Sequence, residues 1–289
     1  TRQTAAPSVK GLAAALWCVA SGLAAAAPPT GNCVDSVDTT KLSAVTSTLP
    51  VEYSGELAII DLGDDYSRGL TAPRQAVAAS YATRFRSDVD FLIVWTGFEF
   101  ATGDARAVYL PIRNDVSGIG QATFDHSAAF SSPSMQGYVD MAAFSRWTLN
   151  PRAPAFEETL DTLTHELMHR YGSYVHRRDE GGIVRADLLG REASHWSFLF
   201  DSDASVLYGN DWRDLGGGNF ESIDTLHRYS ALDQYLAGWI SASEVGPMRL
   251  LQSAAADPGA LPRRGARIAA TVSEITLAQI IAAEGPRLL

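Results

Sequence analysis

Between Pro154 and Gly172 the chain reads PAFEETLDTLTHELMHRYG, the best-punctuated helix in the sequence. Pro154 suits the first helical position, and Glu157 and Glu158 sit in the first turn, where the helix dipole favours negative charge. Arg170 lies in the last turn and Gly172 is placed to cap it. On a helical wheel over 155–171, Phe156, Leu160, Leu163 and Leu167 form one apolar stripe that must face a core. Glu158, Asp161, Thr162, His165 and His169 fall roughly opposite. His165 and His169 are one turn apart, about 6 Å of rise, so their rings can converge on one ion at about 2.0–2.1 Å. Glu166 points about 100° away and can reach a water at that ion without binding the ion itself.

The stripe needs a sheet to lie on, and the preceding sequence offers one. ELAIIDLG (56–63) and VDFLIVWTGFEF (89–100) read as buried strands, the second β-branched, aromatic and bounded by polar turns. AVYLPIRNDV is a further strand whose Pro111 places it at an edge or a bulge. QGYVDMAAF (136–144) is another, and APRQAVAASYATRFRS has helical spacing. The Gly- and Ser-rich stretch 117–134 reads as loop, and Gly118–Gly120 could present an open edge to an added strand. After the His-rich helix the chain becomes loop-rich and nearly strand-free. It holds an amphipathic helix near YSALDQYLAGWI, a strand ARIAATV and a short helix TLAQIIAAEG. The fold class is therefore α+β, with an N-terminal mixed sheet and a C-terminal helix-and-loop lobe.

Arg2 and Lys10 precede the short Ala-rich run GLAAALWCVASGLAAAA, which fits a secretory leader cleaved after Ala26. Cys18 falls inside it, leaving Cys33 as the sole mature cysteine and excluding an intramolecular disulfide. Residues 27–50 read as a linker or arm, 51–175 as the first lobe and 176–289 as the second. The formal net charge of −10 and pI near 5.0 argue against a nucleic-acid partner, which needs a basic stripe. With the leader removed, no membrane association is expected; the oligomeric state is not legible.

THELMHRYG resembles the active-site helix of the zincin metallopeptidases. Gly172 also matches the metzincin-type continuation His-Glu-x-x-His-x-x-Gly-x-x-His. The order of strand, irregular Gly-rich segment, strand and motif helix is similar to the zincin N-terminal lobe. SHWSFLFDSDASVLYGNDW and YSALDQYLAGWI resemble stretches of uncharacterised secreted bacterial zincin-like proteins. The resemblance implies a two-lobed fold, one catalytic zinc ion and a protein or peptide substrate. Its chemistry is Lewis-acid activation of water, with Glu166 as general base and then general acid.

A third ligand is required. The metzincin position is occupied by Val175, and His176 stands one place later. On a continued helix His176 would lie about 10 Å beyond His169, so only a turn at Gly172 could return it. His195, 26 residues past His169, is the rival and is taken as the third metal residue. Glu192 stays open beside it. His126 and His227 read as structural or exposed. Tyr229 and Tyr235 could donate to an oxyanion or merely pack. DSDAS and NDWRDLGGGNFE hold oxygens enough for calcium, but their spacing does not match an EF-hand loop, and turn chemistry is the simpler reading. The expectation is a secreted zinc-dependent endopeptidase. The alternatives are a zinc hydrolase of a non-peptide amide and an adhesion domain with structural zinc. The last is disfavoured because closed zinc sites commonly draw on several cysteines.

Overall fold

The computed structural model describes residues 16–19, 51–54, 57–61, 66, 71–83, 85, 88–102 and 105–289. Among them it is an α+β chain with four α-helices and several sheets. None of those helices is long and apolar enough to cross a membrane. The chain divides into two compact units, 1–114 with 124–170, and 115–123 with 171–289.

The first unit is built on a six-stranded sheet. Its strands are β1 (Leu16–Val19), β2 (Val51–Ser54), β3 (Leu57–Asp61), β4 (Phe91–Thr96), β5 (Val108–Pro111) and β8 (Gly137–Ala143). Helix α1 (Ala72–Ala82) falls between β3 and β4, and the short pair β6 (Arg113–Asn114) and β7 (Phe124–Asp125) stands apart. The sheet order is β2-β3-β1-β4-β8-β5, parallel through its centre, with β2 and β5 antiparallel at the edges. Pro111 ends β5, an edge strand, where a missing N–H costs no inner ladder bond.

Period-two alternation sorts the side chains of β4 and β8. Leu92, Val94 and Tyr138 pack with Val77, Ala78 and Tyr81 of α1. Ile93, Val139 and Met141 join Ala107 and Trp147 on the other face. Helix α2 (Phe156–Met168) lies on that second face through Leu163 and Leu167. Under α1, Arg74 pairs with Asp140, and the Tyr66 hydroxyl donates to Asp140 Oδ2 at 2.7 Å.

Residues 1–26, expected as a leader, fall outside the described residues except for Leu16–Val19. The backbone of those four forms β1, between β3 and β4. Cleavage after Ala26 would take β1 out of the sheet, so the N-terminal mass of the mature chain decides between the two. The arm at 27–50 and Cys33 also lie outside the described residues.

The second unit corrects the expectation of a nearly strand-free half. It carries eight strands: β9 (Arg177–Arg178), β10 (Val184–Arg185), β11 (Trp196–Asp201), β12 (Tyr208–Gly216), β13 (Asn219–Asp224), β14 (Met248–Gln252), β15 (Arg267–Ala269) and β16 (Thr271–Ile275). Six of them form one sheet in the order β15-β13-β12-β11-β14-β16. The long hairpin of β12 and β13 is disguised in sequence by its turn. Gly216, Gly217 and Gly218 all have positive φ, which suits glycine, and acidic residues alternate with the buried Trp212 and Phe220. The expected strand ARIAATV splits into β15 and β16 around Ala270.

Helices α3 (Ala231–Ala237) and α4 (Leu277–Glu284) form where the sequence indicates. A capping box opens α3: Ser230 accepts from the Asp233 N–H, and Asp233 Oδ2 accepts from the Ser230 N–H at 2.8 Å. The same buried carboxylate accepts from Trp196 Nε1 at 2.9 Å and Ser205 Oγ at 2.7 Å. One residue thus starts a helix and ties it to β11. Gly118 and Gly120 lie close against neighbouring backbone. Both have positive φ, and an added Cβ would strike the backbone of Pro286 or Tyr174 at 2.3 Å.

Candidate metal centre

Helix α2 is shorter than the wheel over 155–171 predicts. It begins at Phe156, and Ala155, at its N-cap, makes no side-chain cap bond. It ends at Met168 with His169 as the capping residue, three positions before the predicted Gly172 cap. The buried stripe also differs. Leu160 is 43% exposed, whereas Thr159, Glu166 and Met168 are buried. The helix is rotated so that Glu166, not Leu160, turns inward. Thr159 helps fix this rotation, its hydroxyl donating to Thr148 O at 3.0 Å.

The rotation leaves His165 and His169 on a common side. Their Nε2 atoms face each other at 3.1 Å, with the rings at 89°. Two nitrogens bound tetrahedrally to one ion at about 2.0–2.1 Å stand about 3.3–3.4 Å apart. The pair is thus spaced as two ligands of a shared cation would be.

Glu166 is 6% exposed. Desolvation pushes its carboxyl up to about 8; the Tyr109 main-chain N–H, donating to it, opposes the shift, and the charge of Asp140 adds to it. Tyr109 also lays its ring against His169, with centroids 6.4 Å apart and planes at 29°. Its hydroxyl donates to Gln136 O at 3.2 Å. Directly after His169, the buried Arg170 donates to Gln136 Oε1 and Asn114 Oδ1, both at 2.8 Å. The end of α2 is therefore fastened to β6 and to the residue preceding β8.

His195 belongs to the second unit. It lies in a tight turn just before β11, 4% exposed, its ring stacked on Tyr208 at 4.2 Å and 21°. His195 Nδ1 lies 3.1 Å from Arg191 O. A carbonyl can only accept, so Nδ1 carries the proton and Nε2 keeps its lone pair. Burial pushes the ring down to about 4, against that hydrogen bond, so it is neutral at pH 7. A neutral ring with Nδ1–H held by a carbonyl is the form in which histidine binds metals.

The other candidates are engaged elsewhere. The His176 N–H donates to Glu284 Oε1 at 2.7 Å, and His176 Nδ1 stands 2.8 Å from the same oxygen. Glu192 Oε1 accepts from Arg191 at 3.1 Å, and its Oε2 stands 3.9 Å from His195 Nδ1, the nitrogen turned to Arg191 O. His126 stacks on Phe124, and His227 stands 3.5 Å from Asp224. The Tyr235 hydroxyl accepts from the Arg287 N–H, and Tyr229 packs edge-on against Trp239. In DSDAS and NDW, Asp201, Asp203 and Asp211 bring carboxylates within 4.8 Å of one another. Asp201 is occupied there, accepting from the Trp212 N–H at 3.0 Å and from Arg249 Nε at 2.7 Å. Sequence reasoning missed Tyr109 and Tyr208, which touch the histidines from strands far along the chain. No local pattern announces such contacts.

No family model, curated protein or solved structure matches this chain.

Proposed function

We propose that the chain is a secreted zinc-dependent endopeptidase of zincin type, with His165, His169 and His195 holding one zinc ion. The observation that carries this reading is the 3.1 Å approach of the two Nε2 atoms, one helical turn apart, beside a buried carboxylate. His195 is the third ligand of this reading: a buried, neutral ring whose Nδ1 is held by the Arg191 carbonyl keeps the Nε2 lone pair for a metal. Three imidazoles leave a fourth position for water and substrate, whereas a structural site is closed by four protein ligands.

Zinc, when bound, supplies Lewis acidity that polarises a carbonyl and brings water toward a neutral pKa. Glu166 then acts as the proton carrier, taking a proton from the attacking water and delivering it to the leaving amine nitrogen. Burial strengthens this carboxylate as a base, and a neighbouring cation keeps it ionised. The Tyr109 N–H holds it in place. The Arg191 carbonyl fixes the tautomer of His195, and Tyr208 fixes its plane.

The test is metal content and casein or peptide cleavage for the parent and Glu166→Gln. One zinc per chain is expected in both, with turnover falling by about 10³-fold or more in the variant. Equal cleavage in both proteins would remove Glu166 as the base, and a parent without stoichiometric zinc would remove the peptidase reading.

A further inference from the structure

From the packing of β5 on α2 we infer that Tyr109 is a positioning residue for the metal pair, an assignment that rests on the zinc reading above. Three contacts converge on this one residue. Its ring lies along His169, its main-chain N–H is donated to Glu166, and its hydroxyl is tied to Gln136 O at 3.2 Å. Centroids 6.4 Å apart fall within the range over which aromatic rings orient one another. The Gln136 side chain also accepts from Arg170, the residue after His169. His169 thus has a ring against one side and an anchored arginine next to it in the chain, both tied to Gln136, the residue preceding β8.

The ring has a prepared place. It crosses β8 over Gly137, where an added Cβ would meet Tyr109 Cε2 at 2.3 Å and its hydroxyl oxygen at 2.6 Å. Gly137 has no positive φ, so the glycine is required by the ring and not by the backbone. A methyl at 137 would push the ring off its line, and His169 would lose the surface that sets its plane. Metal ligands depend on such supports, and losing one lowers metal affinity by about 10- to 100-fold.

The experiment compares the parent with Tyr109→Phe, Tyr109→Ala, Tyr109→Leu and Gly137→Ala. Zinc affinity is read by competition with a chromophoric chelator, and site geometry by the visible spectrum after cobalt substitution. Tyr109→Phe keeps the ring and is expected to stay within about 2-fold of the parent. Tyr109→Ala is expected to raise the zinc dissociation constant by about 10-fold or more and to alter the cobalt spectrum. Tyr109→Leu fills much of the same space without a ring, so it carries the test if the alanine variant does not fold. Gly137→Ala should match the loss and add nothing to it in a Tyr109→Ala background, since both act through one ring.

Parent affinity and an unchanged cobalt spectrum in the alanine and leucine variants would overturn the assignment, as would a phenylalanine variant as weak as the alanine one. A parent that binds no zinc fails the zinc reading instead, and the two failures are thereby told apart.

Discussion

Among the buried carboxylates of this chain, one from each unit makes an instructive pair, Asp233 and Glu166, because they are treated differently. Asp233 is fully buried and accepts from an indole N–H, a serine hydroxyl and a main-chain N–H. Glu166 is almost as buried, and among the described residues it accepts from the Tyr109 main-chain N–H. A buried carboxyl surrounded by donors is a structural joint, because each partner would be stranded without it. A buried carboxyl with few donors is held short of its full complement, and such a group is available to take a proton. The contrast sets a structural joint apart from a candidate site without reference to any motif.

The contrast is sharpest under substitution. Asp233→Ala strands the Trp196 indole, Ser205 hydroxyl and Ser230 N–H, and should cost about 3–5 kcal/mol. That corresponds to a fall on the order of 10 °C in the melting midpoint followed by tryptophan fluorescence. Glu166→Gln in the metal-free protein should change stability by no more than about 1 kcal/mol, because it removes the burial cost of a carboxylate and keeps its shape. A large loss for Glu166→Gln, or none for Asp233→Ala, would erase the distinction.

A smaller effect sharpens the scaffold side alone. Trp196→Phe keeps most of the ring but leaves Asp233 one donor short, and should cost about 1–3 kcal/mol by denaturant melting. Acidity offers a further check. Burial raises the Asp233 carboxyl above the ordinary range, against the pull of its hydrogen bonds, and Asp201 shifts the same way for the same reason. A folded-state value above the unfolded one means that the contribution is fully present below the ordinary carboxyl range. It is lost as pH rises through the raised value. Denaturant midpoints taken upward from pH 4 should therefore fall more steeply for the parent than for Asp233→Asn. The smallest effect belongs to the exposed cluster in which Arg213 and Arg267 meet Glu221. Glu221→Gln should leave the midpoint unchanged within error, as solvated ion pairs contribute little.

The same division explains what the sequence disclosed. Strands β4 and β8 and helices α1, α3 and α4 form where apolar runs and spacing indicate, because local pattern and burial agree there. The residues of the candidate site were the ones sequence chemistry singled out. His165, Glu166 and His169 stand out by spacing, and His195 by its distance downstream. Their supports were not. Tyr109 and Tyr208 reach the histidines from β5 and β12, contacts set by sheet register and not by neighbours in the chain. The facing of α2 was legible in part: Leu163 and Leu167 pack on the sheet as their spacing indicates, while the structure buries Glu166 and leaves Leu160 to solvent. The sheet of the second unit was hidden by acidic, Gly-rich hairpin sequence, in which alternation is diluted by turn residues. Its strands are held by distant partners such as Asn210, whose Nδ2 donates to Phe198 O at 2.7 Å.

His169 is both the second imidazole of the pair and the residue on which α2 stops, its N–H closing the final turn on His165 O at 3.3 Å. A cation gripped by both rings would work as a buckle across that turn, where helices otherwise fray. Stripping the metal would then loosen Met168 and His169 before any strand responded, and amide exchange at those two positions would rise first. Loading of the ion and order at this helix end would be a single equilibrium seen from two sides.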